Sequence, residues 1–205
     1  MTDWEKQYLI GDTPWDKGRA APPLLELLDK GLPAGWEKGR ILAPGCGLGH
    51  DVRELAARGV QVVGLDISPT AIQRANAYPK MGAESFELGD FLDPGWQKGR
   101  KFSGWWEHTC FCAIQPAQRP AYAAAAGALV EKGGLLAGVF YLTPNGPGEE
   151  DEGPPFNVSI TEIEGLLAPW FEKIDGWVPT RSYPGREGQE WVGVFCRRWQ
   201  DCIAE

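Results

Sequence analysis

Apolar residues fall into two patterns that alternate along the chain: short unbroken runs that read as buried strands, and stripes at helical spacing. Trp4, Tyr8 and Trp15 form an aromatic arm around a Gly11-Asp12-Thr13-Pro14 turn. Leu24, Leu25, Leu27 and Leu28 then make a helical stripe ending at Gly31. Arg40-Ile41-Leu42-Ala43 predicts a strand running into Pro44-Gly45-Cys46-Gly47-Leu48-Gly49, and Val52, Leu55 and Ala56 predict a helix before Gly59. A second strand, Val60 to Asp66, ends in a carboxylate, and Ser68-Pro69 caps a helix through Ala71, Ile72 and Ala75. Ser85–Leu88 and Phe102–Glu107 predict two more strands, the first ending at Gly89-Asp90-Phe91 and the second at His108 to Ile114. An Ala-rich helix through Ala128-Leu129-Val130, a Lys132-Gly133-Gly134 turn and a buried strand from Leu135 to Tyr141 follow.

The segment from Thr143 to Phe156 is rich in Pro, Gly and acid, with Glu149-Glu150-Asp151-Glu152 at its middle, and predicts a mobile solvated loop or a lid. Ser159-x-x-Glu162 caps a further helix, and strands are expected near Phe171–Val178 and Glu190–Arg197. Strand and helix alternate, then two strands come late. That order predicts one α/β domain over residues 1–205 with a mostly parallel sheet.

Composition narrows the chemistry. A chain of 205 residues suits a single core, and a net charge of −8 repels nucleic acid and anionic membranes on average. No apolar stretch approaches a membrane span, and Met1-Thr2-Asp3-Trp4 lacks the basic-then-apolar opening of a signal peptide. A cytoplasmic, enzyme-sized domain is expected. The five cysteines, Cys46, Cys110, Cys112, Cys196 and Cys202, show no paired C-x-x-C spacing, and only His50 and His108 could add imidazole ligands. Neither a metal site nor a disulfide framework is expected. Ten tryptophans with 27 glycines and 17 prolines describe a loop-rich domain with aromatic walls.

In a parallel α/β sheet, ligands bind beyond the carboxyl ends of the strands. The residues there are Gly45 to Gly49, Asp66-Ile67, Asp90-Phe91 and Glu107 to Cys112. Asp66 follows Gly47 by 19 positions, where a carboxylate can accept both hydroxyl hydrogens of a ribose. The turn reads Gly45-x-Gly47-x-Gly49, which is not the dinucleotide G-x-G-x-x-G, and no G-K-S/T phosphate clamp is present. An adenosine ligand without phosphates fits better: S-adenosylmethionine, whose sulfonium is attracted to carboxylates and to the faces of Trp4, Tyr8 and Trp15. Taken singly, the glycine cluster is only a tight turn, Cys110-x-Cys112 is small apolar packing, and the acidic run is a solvated loop.

Taken in order, these motifs are more specific. Trp4-x-x-x-Tyr8, Gly11-Asp12-Thr13-Pro14-Trp15-Asp16-x-Gly18, Pro44-Gly45-Cys46-Gly47-x-Gly49-His50-Asp51, Gly64-Leu65-Asp66-Ile67-Ser68, Gly89-Asp90-Phe91 and Thr109-x-Phe111-Cys112-Ala113-Ile114, continuing through Gly185-Arg186-Glu187 and Trp191, resemble the thiopurine S-methyltransferase superfamily. The likeness is greatest to its halide/thiol methyltransferases. That resemblance implies a seven-stranded Rossmann-like sheet, an N-terminal aromatic cover within residues 1–35, and S-adenosylmethionine as methyl donor. It implies that Trp4, Tyr8 and Trp15 wall the donor, that Gly45 meets its amino-acid end, that Asp66-Ile67 meets the ribose, and that Asp90-Phe91 meets the adenine.

One departure stands out: Glu107-His108-Thr109 replaces the Asp-Tyr-Thr of the relatives, so His108 takes the place of a cofactor-facing tyrosine. It either substitutes a hydrogen bond or receives the proton of an incoming thiol. Trp15, Phe111 and Cys112 are expected to wall a small apolar acceptor pocket, with Arg181 and Arg186 attracting anions. The expected reaction is methylation of small thiols such as hydrogen sulfide and methanethiol. Halide or aromatic-thiol methylation, and donor binding without catalysis, are the alternatives. The oligomeric state is left open.

Overall fold

A computed structural model describes residues 2–144 and 153–199. Its seven-stranded sheet has the order β3-β2-β1-β4-β5-β7-β6, with β1 Arg40–Pro44, β2 Gln61–Asp66, β3 Glu84–Leu88, β4 Phe102–His108, β5 Val130–Tyr141, β6 Phe171–Trp177 and β7 Glu190–Arg197. The pairings among β1 to β5 are parallel, while β7 lies antiparallel between β5 and β6. The first helix after β1 is α3, His50–Ala57; α4, Pro69–Ala77, follows β2, and α6, Arg119–Leu129, precedes β5. A short α5, Pro94–Gln97, and α7, Ile160–Leu167, complete the strand connections, while α1, Trp4–Ile10, and α2, Pro22–Lys30, lie ahead of the sheet.

Strands flanked by helices on both faces bury both sides, hence the near-continuous apolar runs. Adjacent tryptophans show the pleat: Trp105 joins the core of one face with Phe102, Phe111 and Tyr122, and Trp106 joins that of the other with Trp36, Leu24 and Val139. Ser68 caps α4 through its Oγ, which accepts from Ala71 N at 3.0 Å, and Ser159 caps α7 by accepting from Glu162 N at 3.1 Å.

Three expectations change. The aromatic arm is itself a helix, because Asp3 caps it by accepting from Lys6 N and left-handed Gly11 ends it. Lys132-Gly133-Gly134 does not separate helix from strand: β5 already begins at Val130, and a register shift between Phe102 and Gly104 of β4 absorbs the left-handed Gly133. The far end of the 143–156 segment is docked rather than solvated, since Phe156 is buried and its N–H donates to Cys112 O at 2.7 Å. The Glu149 to Glu152 run and Cys202 lie outside the described residues.

Candidate active site

The tips of β1 and β2 build a crevice from backbone and one carboxylate. Gly45, Gly47 and Gly49 all adopt left-handed φ, at 59°, 52° and 74°, which turns the chain sharply into α3. A Cβ on Gly47 would stand 2.8 Å from the Tyr8 hydroxyl, and one on Gly45 would stand 3.0 Å from Cys110 Sγ. Asp66 secures the turn: one carboxylate oxygen accepts from Gly47 N at 2.9 Å, the other from Ser68 N at 2.9 Å. Burial raises the Asp66 pKa against those N–H donors, and each oxygen keeps lone-pair capacity for a further donor. Beside it, Ile67 presents an apolar side chain that is 51% exposed.

Helix α1 covers this crevice. Tyr8 is buried over the glycine turn and accepts from Trp15 Nε1 at 3.1 Å, while Trp4 meets Trp15 edge-on at 5.2 Å. The clasp is Glu5, whose carboxylate accepts from Ser68 Oγ at 2.5 Å, Thr70 N at 3.0 Å and Thr70 Oγ1 at 2.6 Å. Those donors lower the Glu5 pKa. At the tip of β3, Asp90 is exposed and accepts from Leu92 N at 2.8 Å. Phe91 instead turns inward against Trp105 and Tyr122, so its ring is part of the core.

The second half of the site stands at the tip of β4. His108 Nδ1 lies 2.8 Å from Asp51 Oδ2, in the first turn of α3. The same carboxylate accepts from Trp106 Nε1 at 2.9 Å and from Ala21 N at 2.7 Å, tying the imidazole to the segment between α1 and α2. Burial opposes charge on His108, but Asp51 more than offsets it and the imidazole pKa rises above 6.5. Burial would likewise raise Asp51, yet His108 and the N–H donors hold it low. His108 Nε2 is buried and has no partner. The next residue, Thr109, is the one non-glycine among the described residues with left-handed φ, at 59°. Such a residue costs on the order of 1–3 kcal/mol and is characteristic of functional turns.

Tyr183 lies beside His108, with ring centroids 6.2 Å apart and planes 23° from parallel, and its hydroxyl donates to Arg19 O at 2.7 Å. The Arg186 guanidinium sits 4.5 Å from the Tyr141 ring centroid and 5.5 Å from that of Tyr183. Lys17, Arg19, Tyr183 and Pro184 line an open cleft of about 440 Å³ on this side.

Arg186 and His108 thus share one site, whereas Arg181 does not join them: it pairs with Asp29 at 2.6 Å and is half exposed. Phe111 and Cys112 are buried beneath the site rather than lining it. Phe111 packs on Tyr122 and Phe140, and burial pushes the Cys112 thiol up to about 12. Trp15 belongs to the cover with Trp4 and Tyr8. The surroundings of His108 are therefore more polar than the spacing predicts.

Glu107 is a further surprise. It is fully buried and accepts from Phe111 N at 2.8 Å and from the Tyr122 hydroxyl, which in turn accepts from Trp105 Nε1 at 2.8 Å. Burial raises its pKa to about 7. Sequence reading placed Glu107 at a strand end without giving it a role, and missed Asp51, Tyr183 and Glu5 as site or supporting residues. Only Asp51 carried a signal, as the last residue of the Gly49-His50-Asp51 string.

Among the described residues no group of three His, Cys, Asp or Glu side chains could hold a metal ion, and no helix is long and apolar enough to cross a membrane. The left-handed glycine cradle, the Asp66 carboxylate and exposed Ile67 fit an adenosine-bearing group.

Comparison with known proteins agrees with the architecture. The family model of thiopurine S-methyltransferase matches residues 1–176. The chain is 36% identical over 203 residues to the probable thiol methyltransferase 2 of Arabidopsis thaliana, covering 96% of this chain and 84% of that protein. It is also 36% identical to thiocyanate methyltransferase 1 of Brassica oleracea, with the same two coverages. Among solved structures, the 1,6-didemethyltoxoflavin-N1-methyltransferase of Burkholderia thailandensis, which holds S-adenosylhomocysteine, shares the fold with a TM-score of 0.69, 20% identity and coverage of 97% of this chain and 86% of that one. The chain belongs to the thiopurine S-methyltransferase family and is an S-adenosylmethionine-dependent methyltransferase.

Proposed function

We propose that this enzyme methylates small protic thiols, hydrogen sulfide and methanethiol among them, at the tip of β4. The observation that carries this reading is the buried His108 whose Nδ1 faces Asp51 and whose Nε2 has no partner. When bound, the donor supplies an electrophilic sulfonium methyl and leaves as S-adenosylhomocysteine. Gly45 and Gly47 would receive its amino-acid end against the backbone, Asp66 and Ile67 its ribose, and the Asp90-Phe91 tip its adenine. Trp4, Tyr8 and Trp15 exclude water from above. The Asp51 carboxylate fixes the imidazole tautomer with hydrogen on Nδ1, leaving the Nε2 lone pair to take the acceptor's proton. Alignment and exclusion of water supply the rest, because the donor is already activated.

A second reading, methylation of halide or thiocyanate, is favoured by the cationic side of the cleft, where Lys17 and Arg19 stand. The names of the plant relatives span both readings. Competition for labelled donor among sulfide, methanethiol, iodide, thiocyanate and an aryl thiol separates them. The small thiols should win in the wild type, and His108→Phe should reduce their turnover by about a hundredfold, in the range for a positioned base, with donor affinity unchanged. Preference for iodide, or equal turnover in the variant, would reject the thiol reading.

A further inference from the structure

Glu107 and His108 are neighbours at the end of β4, so their side chains leave opposite faces of the sheet. On one side His108 Nδ1 meets Asp51 of α3 at 2.8 Å, and on the other Glu107 meets the Tyr122 hydroxyl of α6. The tip of the strand is thereby gripped from both helical layers.

Glu107 is completely buried, and the sheet makes room for it. Its partner across β5 is Gly138, where a Cβ would stand 2.5 Å from the Glu107 Cβ and 3.0 Å from its Cγ. A buried charge is a weak source of stability, since packed apolar side chains of similar volume often serve a core equally well. What a carboxylate can supply there, and an apolar side chain cannot, is position.

One carboxylate oxygen accepts from Phe111 N at 2.8 Å, and the other from the Tyr122 hydroxyl, which the Trp105 indole N–H fixes at 2.8 Å. The bond to Phe111 closes the chain on itself, and the segment it encloses is His108, left-handed Thr109 and Cys110. A left-handed non-glycine residue costs on the order of 1–3 kcal/mol and persists only where its surroundings over-determine it. Glu107 supplies that constraint from within the turn. Cys112 braces the far side, with Sγ donating to Thr109 O at 3.3 Å and its carbonyl accepting from Phe156 N at 2.7 Å.

We propose that Glu107 is a positioning residue: by holding Phe111 N and the Tyr122 hydroxyl together it latches the turn after β4, and so sets the place of the His108 imidazole against Asp51. The proposal rests on the reading of His108 as the acceptor's base. Glu107 acts through His108 and takes no proton itself.

Two substitutions separate position from charge. Glu107→Gln loses the charge and keeps the latch, because the amide oxygen can accept from Phe111 N while the amide nitrogen donates to the Tyr122 oxygen. Glu107→Leu fills the space and loses both bonds. In the leucine variant kcat for methanethiol should fall about tenfold to a hundredfold, the scale of a slightly misplaced catalytic group, with S-adenosylhomocysteine affinity by calorimetry unchanged. An NMR titration of that variant, with neither donor nor acceptor present, should find the His108 ring pKa lowered as the imidazole leaves Asp51. Glu107→Gln should match the wild type in both readouts. Should the leucine variant fail to fold, Tyr122→Phe keeps the ring and removes one of the two grips, and both readouts should move the same way.

A folded variant of either kind with wild-type turnover and wild-type His108 titration makes Glu107 a core residue only and overturns the latch. So does a glutamine variant that loses as much as the leucine one, since charge rather than place would then be at work. A wild type that methylates iodide and no thiol overturns the acceptor reading instead, and the His108 titration still tests the latch.

Discussion

His108 is held by a carboxylate that is held in turn by two further donors, and that hierarchy decides how the imidazole behaves. Asp51 takes the Trp106 indole N–H, the Ala21 backbone N–H and His108 Nδ1, so its position owes nothing to the acceptor. Because the folded pKa of His108 lies above 6.5, the pair contributes its full stability below 6.5 and loses it as pH rises through the folded value. The low pKa of Asp51 has the opposite sign: its contribution is present above 3.8 and disappears as pH falls through the folded value. The pair therefore stabilises most between those limits. Asp51→Asn should remove about 1–3 kcal/mol there, the scale of a lost buried hydrogen-bond partner. An NMR titration of the His108 ring should then find its pKa lowered from the wild-type value, because the Asp51 charge no longer offsets burial. A pKa unchanged from wild type would mean that Asp51 does not set it.

At the scale of elements, the glycine turn and helix α1 act as one unit. Glu5 fastens α1 to the first turn of α4, and Tyr8 lies so close over Gly47 that no side chain fits between. Gly47→Ala should therefore cost more than the roughly 1–2 kcal/mol of a left-handed non-glycine residue, because Tyr8 must also move. Calorimetry should show S-adenosylhomocysteine affinity reduced about tenfold, equivalent to about 1.4 kcal/mol. Gly59 is the control: it is also left-handed, at φ 86°, but a Cβ there meets nothing within 4 Å. Gly59→Ala should lower stability and leave affinity intact, and equal affinity losses in both variants would separate α1 from the crevice.

For the molecule as a whole, strand tips were legible in the sequence and side-chain convergence was not. Apolar runs ending in Gly45 and Asp66 announce β1 and β2 because both faces of these strands are covered and their ends turn at once, whereas the edge strand β3, with Ser85 and Leu88 exposed, is marked by the Gly89-Asp90 that ends it. Asp51 and His108 lie on different elements that meet only once α3 has folded onto the sheet. Phe111 and Cys112 misled in the other direction: they follow the strand tip in sequence, but the left-handed Thr109 reverses the chain and sends them into the core. The whole molecule carries a net charge of −8, yet Lys17 and Arg19 line the open cleft beside Tyr183, a local reversal of charge on an acidic protein.

All of this turns on His108 taking the proton from the acceptor, and the pH dependence of turnover at limiting thiol reads that step directly. An alkyl thiol ionises with a pKa of about 8.5 or above, so an enzyme that captured only preformed thiolate would gain about tenfold per pH unit up to that point. With His108 as base, kcat/KM for methanethiol should instead rise only until the imidazole is neutral, somewhat above 6.5, and then level off, while iodide turnover stays flat. A methanethiol rate that climbs without a break to the ionisation of the thiol itself would contradict the account.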